Sequence, residues 1–234
     1  MKREGRRRLS VAHLLIALGV LFAVQPVVDQ FSYGDLIESV AFTGVLLAGV
    51  SAVGNRRRTH AIAALLVAPA LLTRWIDHFW PGFLPTEVCQ FAAILFVAYV
   101  GWHLLRFVIV APQVNAEVLC AAISVLLLTA IIWSMFYTLL GKWDPHAFQL
   151  PTTAGEGARL DGFLAVYFSL QVITANSFGD IVPASNIARV LTLAEALVGM
   201  FYLAIFISRL VGAYTSEPAA AVPLGEERAG ESDP

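Results

Sequence analysis

The sequence predicts an all-α membrane protein with six transmembrane helices and one short re-entrant segment between the fifth and the sixth. Three observations lead there. The 234 residues are 58% hydrophobic and only 14% charged, against about 25% charged in soluble domains, and the mean hydropathy is +0.74. The apolar residues gather into runs of about 18 residues or more, the length a helix needs to cross ~30 Å of hydrocarbon. Basic residues alternate between the ends of those runs, the pattern by which cytoplasmic Lys and Arg orient a membrane chain.

The first run, 9–28, follows MKREGRRR and continues into AVQPVVDQ. It is longer than the apolar core of a cleaved leader, about 7 to 15 residues, and reads as a helix that stays. Runs 35–53, 61–79, 86–110, 116–140 and 186–213 complete the six. Pro26 and Pro69 mark kinks or ends in the first and third. The stretch 161–174 is too short to cross and reads as re-entrant. Asp161, followed by Gly162, is placed to cap its start, and its negative dipole end points at TANSFGD, residues 174–180, where it favours a cation. A polar loop at membrane depth is tolerated only where its backbone is buried in protein or lines water. The chain then leaves through Ile181, Val182 and Pro183 toward the outer surface.

Charge sets the orientation. Lys2, Arg3, Arg6, Arg7, Arg8, Arg56, Arg57, Arg58, Arg106, Arg209 and Arg228 fall on one side, and Arg74, Lys142, Arg159 and Arg189 on the other, 11 against 4. Both termini are therefore expected in the cytoplasm. Asp29, Asp35, Asp77, Asp144, Glu156, Asp161 and Asp180 leave the outer loops net negative, which concentrates cations there. A formal charge of −2 gives no reason to expect nucleic acid. Cys89 and Cys120 lie inside apolar runs and read as small hydrophobes, and the scattered histidines lack metal-ligand spacing. Asp144, Pro145 and His146 have no partner nucleophile or base, so enzyme chemistry is not expected.

The run VYFSLQVITANSFGDIVPASNIAR resembles the pore helix, selectivity filter and filter exit of the potassium-channel superfamily, whose consensus is roughly T-x-x-T-T-V-G-Y-G-D-x-x-P. The resemblance implies an ion-conduction filter of Thr174, Ala175, Asn176, Ser177, Phe178, Gly179 and Asp180, with Pro183 as the exit proline. It places Tyr167 and Phe168 at the aromatic positions that support the filter and Gln171 at a polar position behind it. EALVGMFYLAIFISRLVG, from Glu195 onward, resembles the family's lining helix, with Gly199 at a position used as a gating hinge. One chain supplies one loop, so the family implies a homotetramer around permeant monovalent cations, potassium or sodium, with no cofactor.

The middle of the filter departs from the family. In potassium filters, rings of backbone carbonyls replace the ion's hydration shell. Ser177 stands at a glycine position, where a non-glycine residue at positive φ costs about 1 to 2 kcal/mol. Ala175 lacks a threonine hydroxyl, Asn176 puts an amide where an apolar side chain packs, and Phe178 keeps the ring of tyrosine without its hydroxyl. Selectivity is expected to be weakened. A non-conducting or regulatory membrane subunit with a degenerate filter is the alternative. The fourth run carries only His103 and Arg106, not an arginine at every third position. Since each gating charge contributes about 2.3 kcal/mol per 100 mV, steep voltage gating is not expected. Glu195, an acid inside a run, is expected to support the filter by bonding to Gln171, Asn176 or a neighbouring chain.

These readings divide the chain into a basic cytoplasmic N-terminus (1–8), a four-helix peripheral membrane domain (9–110), a pore domain (116–214) and a disordered cytoplasmic tail (215–234). The setting is the plasma membrane and its lipids.

Overall fold

A computed structural model describes residues 2–28, 34–53, 57–79, 86–111, 113–151 and 157–215. The tail at 216–234 and the outer acids Asp29 and Glu156 lie outside them. Among the described residues, seven helices carry the fold: α1 Lys2–Val28, α2 Gly34–Ala52, α3 Arg57–Phe79, α4 Thr86–Val110, α5 Ala116–Trp143, α6 Gly162–Ile173 and α7 Asn186–Thr215. Two short strands, β1 Phe148–Gln149 and β2 Val182–Pro183, pair antiparallel.

Among the described residues, three helices are long and apolar enough to cross a membrane, over Gln90–Val110, Ala116–Trp143 and Asn186–Gly212. The apolar stretches of α1, α2 and α3 are shorter, at Ser10–Pro26, Ser39–Ala52 and Ala61–Leu72, and that of α6 is Gly162–Ile173. The residues expected as a separate basic N-terminus continue α1 from Lys2, because Arg and Lys are good helix formers and extend a helix already nucleated by the run that follows. Pro26 and Pro69 sit inside α1 and α3.

α1 packs on α2 and α5, α4 on α3 and α5, and α6 lies between α5 and α7. An apolar core of Leu14, Leu18, Leu46, Phe96, Val100 and Leu128 joins α1, α2, α4 and α5. A second core, around Tyr137, Phe148, Phe168, Ile181 and Ala188, holds the C-terminal end of α5 to α6 and to the start of α7. Tyr137, Phe148 and Phe168 meet there edge to face, with ring centroids 5.1 to 5.6 Å apart, the arrangement aromatic quadrupoles favour.

α5 is well specified at its ends. The Asn115 side chain accepts the Val118 amide at 3.0 Å, Glu117 lies in the first turn and Lys142 in the last, so cap and dipole agree. The chain then turns at Asp144, whose Oδ1 accepts the His146 amide at 3.0 Å, and enters β1. Its partner β2 brings the chain back, with Phe148 opposite Pro183 and Gln149 opposite Val182. The Ala147 carbonyl accepts the amides of both Ala184 and Ser185, and Ser185 Oγ caps α7 by accepting the Ala188 amide at 3.2 Å.

Candidate functional site

α6 is buried along most of its length and ends in a loop whose residues Ala175 to Gly179 are all exposed, Phe178 to 74%. The Asn176 amide donates to the Gln171 carbonyl at 2.8 Å and the Ala175 amide to the Val172 carbonyl at 3.1 Å. These two bonds are a Schellman closure, which requires a left-handed residue just past the helix, usually glycine. That residue is Ala175, at φ +57°, and among the described non-glycine residues only it has positive φ. The strain expected at Ser177 therefore falls at Ala175 instead. The reversal is dictated by helix termination, which acts two residues before the position at which the family pattern expects a glycine.

The closure also changes the expected electrostatics. The Leu170 carbonyl accepts the Thr174 amide at 3.2 Å and Thr174 Oγ1 at 2.6 Å. Three of the last four carbonyls of α6 are thus occupied, and the Thr174 hydroxyl turns back onto the helix. At the other end, Asp161 stands at the N-cap position but its side chain makes no capping bond, contrary to expectation, and Gly162 takes φ +48°. The helix starts by a backbone turn that glycine allows rather than by a carboxylate cap.

Beyond the loop, Asp180 folds back onto α6. Its Oδ1 accepts the Gln171 side-chain amide at 3.3 Å and the Ile181 amide at 3.1 Å. Partial burial works to raise the Asp180 carboxyl, but hydrogen bonds from Tyr167, Gln171 and the backbone outweigh it and hold the group below its ordinary range. Tyr167, stacked on Phe163 at 6.0 Å, therefore does bear on the end of the loop. Phe168 does not. It is buried against Tyr137 and Phe148, one layer behind.

Glu195 is fully buried, and its partners differ from those expected. Tyr137 donates to Oε2 and Ser169 Oγ lies 2.5 Å from Oε1; neither Gln171 nor Asn176 reaches it. α7 crosses α6 at Ser169, two residues before Gln171, so the carboxyl meets the middle of the helix and not the loop. One turn later on α7, a Cβ on Gly199 would stand 2.3 Å from the Ile173 carbonyl oxygen and 2.8 Å from Ile173 Cγ1. α7 runs unbroken through this glycine, whose observed use is close approach to the end of α6. Tyr137 and Ser169 carry little sequence signal for this role beyond being polar residues in largely apolar runs. Among the described residues, no three His, Cys, Asp or Glu side chains stand together as a metal site.

α7 itself is barely covered. It buries 11% of its membrane-length stretch, against 50% for α5, and exposes Ile187, Val190, Leu193, Phe201 and Ile205. Its C-terminal half is tied down by Tyr202, whose hydroxyl donates to the Ala122 carbonyl at 2.6 Å, and by Arg209, whose guanidinium donates to the Ala111 carbonyl between α4 and α5.

A family model described as an ion channel matches residues 87–216, just over half of the chain and the whole of the α5–α6–α7 unit. The chain belongs to the ion-channel family. It is a member of the potassium-channel superfamily, a transmembrane ion-transport protein and not an enzyme. The channel's match begins in α4, upstream of the pore-domain boundary expected at 116. No curated protein and no solved structure matches the channel's sequence.

Proposed function

We propose that four copies of this chain form a cation channel of the potassium-channel type, with α7 and the loop 174–180 lining a central pathway. One observation carries the proposal: a buried short helix, α6, delivers an exposed polar loop beside α7, a long apolar helix left 11% buried in the single chain. Other copies would cover α7 and face the loops toward one another. In this reading all six long helices span the plasma membrane, α6 is re-entrant, α1 to α4 form the peripheral domain, and both termini are cytoplasmic.

The conducted ions are potassium and other monovalent cations, with weakened selectivity and no steep voltage dependence. Support comes from Ala175, Asn176 and Ser177 in the middle of the loop and from His103 and Arg106 as the only basic side chains in the described part of the membrane-length stretch of α4. A non-conducting subunit is the second reading. The observation favouring it is the Schellman closure at Ala175, which occupies the Gln171 and Val172 carbonyls with the loop's own amides.

Purified protein in liposomes tests the proposal by comparing fluxes of potassium, sodium and a larger cation, with the mass of the solubilised complex read in parallel. Flux of potassium and sodium from a complex of four chains is expected. Absence of flux for every cation would leave the non-conducting reading.

A further inference from the structure

Two rungs join the lining helix to the short helix. Glu195 and Gly199 are four residues apart on α7, Ser169 and Ile173 four apart on α6, and each pair therefore lies on one helix face. They meet in order: Glu195 Oε1 with Ser169 Oγ at 2.5 Å, and the hydrogen-only face of Gly199 with the Ile173 carbonyl. The second rung abuts the residue immediately before Thr174, where the loop begins. The first rung extends to α5 through Tyr137, so Glu195 joins three helices with no exposed surface of its own.

The hydrogen count gives this junction a direction. Ser169 has one hydroxyl hydrogen and two oxygen neighbours, the Ala130 carbonyl at 2.9 Å and Glu195 at 2.5 Å. A residue at 195 that both accepts from Tyr137 and donates to Ser169 lets Ser169 donate onward to Ala130, satisfying every group. A glutamine amide has that pair of capacities. An alanine has neither: Ser169 keeps the Ala130 carbonyl, but the buried Tyr137 hydroxyl loses its acceptor at 195 and the tie between α6 and α7 is gone.

We infer that Glu195, with Ser169 and Tyr137, positions the axial height of α6 against α7, and thereby sets the ion preference of the loop without touching an ion. The inference rests on the pore reading for its effect on ions, and on the geometry alone for its effect on α6. The second part is readable in a protein that conducts nothing.

Hydrogen exchange on the purified full chain is the first arm. The amides of Thr174, Ala175 and Asn176 are bonded to the end of α6. In Glu195→Ala they should exchange about tenfold faster or more, the equivalent of ~1.4 kcal/mol, while amides of α2 keep their wild-type rates. In Glu195→Gln, the wild-type rates should return. Equal exchange in the wild type and Glu195→Ala, or a Glu195→Gln that behaves like Glu195→Ala, overturns the inference. The second arm is the potassium-to-sodium flux ratio, which does not depend on how many channels fold. It should shift in Glu195→Ala and in Ser169→Ala and be restored in Glu195→Gln. Absence of flux in the wild type refutes the pore reading and leaves the exchange result to decide the geometry. A conducting Glu195→Ala with an unchanged ratio refutes the inference and leaves the pore reading standing.

Discussion

The Gln171 side-chain amide and the Asp180 carboxylate are 3.3 Å apart, so the residue that closes the polar loop is held by the last full turn of the helix that opens it. Nine residues separate them in the chain. The loop is consequently a closed stirrup on α6, not a free excursion.

That relationship has a pH signature. Asp180 is held below its ordinary value of 3.8, so its ionised form is favoured in the folded state. A depressed folded value gives a contribution that is complete above the unfolded value and is lost as pH falls through the lower folded one. Loop-dependent flux and melting temperature should stay level as pH falls to about 4 and decline only below it. In Gln171→Ala the flux should fall at higher pH, and the acid-sensitive part of the melting temperature should shrink. An unchanged profile in Gln171→Ala would remove the Gln171 bond as the cause.

Ala175 occupies a conformation that glycine adopts without penalty. Ala175→Gly should stabilise the folded chain by about 1 kcal/mol per subunit, read as a raised melting temperature in detergent. Ala175→Val, β-branched in the same conformation, should lower it. A destabilising Ala175→Gly would mean that the left-handed turn is absent in the assembled protein.

Gly199 distinguishes a contact from a hinge. Alanine is a better helix former than glycine, so a glycine serving only as a flexible hinge would yield a stiffer but intact α7 on substitution. The Ile173 backbone stands where the new methyl would go, and backbone gives way poorly. Gly199→Ala should cost roughly 1 to 3 kcal/mol and loosen the amides at 174–176. A fully stable Gly199→Ala with normal exchange there would favour the hinge.

The combined change Ala175→Thr, Asn176→Val and Ser177→Gly brings the loop to the family pattern. It should raise the potassium-to-sodium flux ratio measured in liposomes. Retention of the wild-type ratio would show that the backbone, held by the Schellman closure, and not the side-chain set, governs preference.

Helix positions were legible because apolar runs of membrane length leave little choice. The run read as 86–110 is α4 at both ends. The run read as 116–140 continues to Trp143, since Gly141, Lys142 and Trp143 add a last turn that a hydropathy boundary discounts. The β1–β2 pair was illegible: two residues on each side carry no periodicity, and only the return of the chain brings Phe148 beside Pro183. The site shows the same division. Gln171, Tyr167 and Asp180 are named together by the sequence because they are neighbours along one short segment, while their meeting at the Asp180 carboxylate is visible only in the fold. The partners of Glu195 were missed because Tyr137 is 58 residues away, and which residues meet at a helix crossing depends on a rotation that sequence spacing does not give. Ser177 does not carry the positive φ of the family's glycine because the family pattern assumes one backbone path and the termination of α6 imposes another, with the left-handed residue at Ala175.

The two ties on the C-terminal half of α7 share a property that bears on how the protein tolerates variation. Tyr202 and Arg209 both donate to backbone carbonyls, those of Ala122 and Ala111. A carbonyl is present whatever side chain its residue carries, so substitution on the receiving helix leaves the acceptor in place. The bonds themselves are one-sided: they can be lost by substitution at positions 202 and 209, while at 111 and 122 the acceptor survives any side chain and only packing, tight around the buried Ala122, limits what α7's anchorage tolerates.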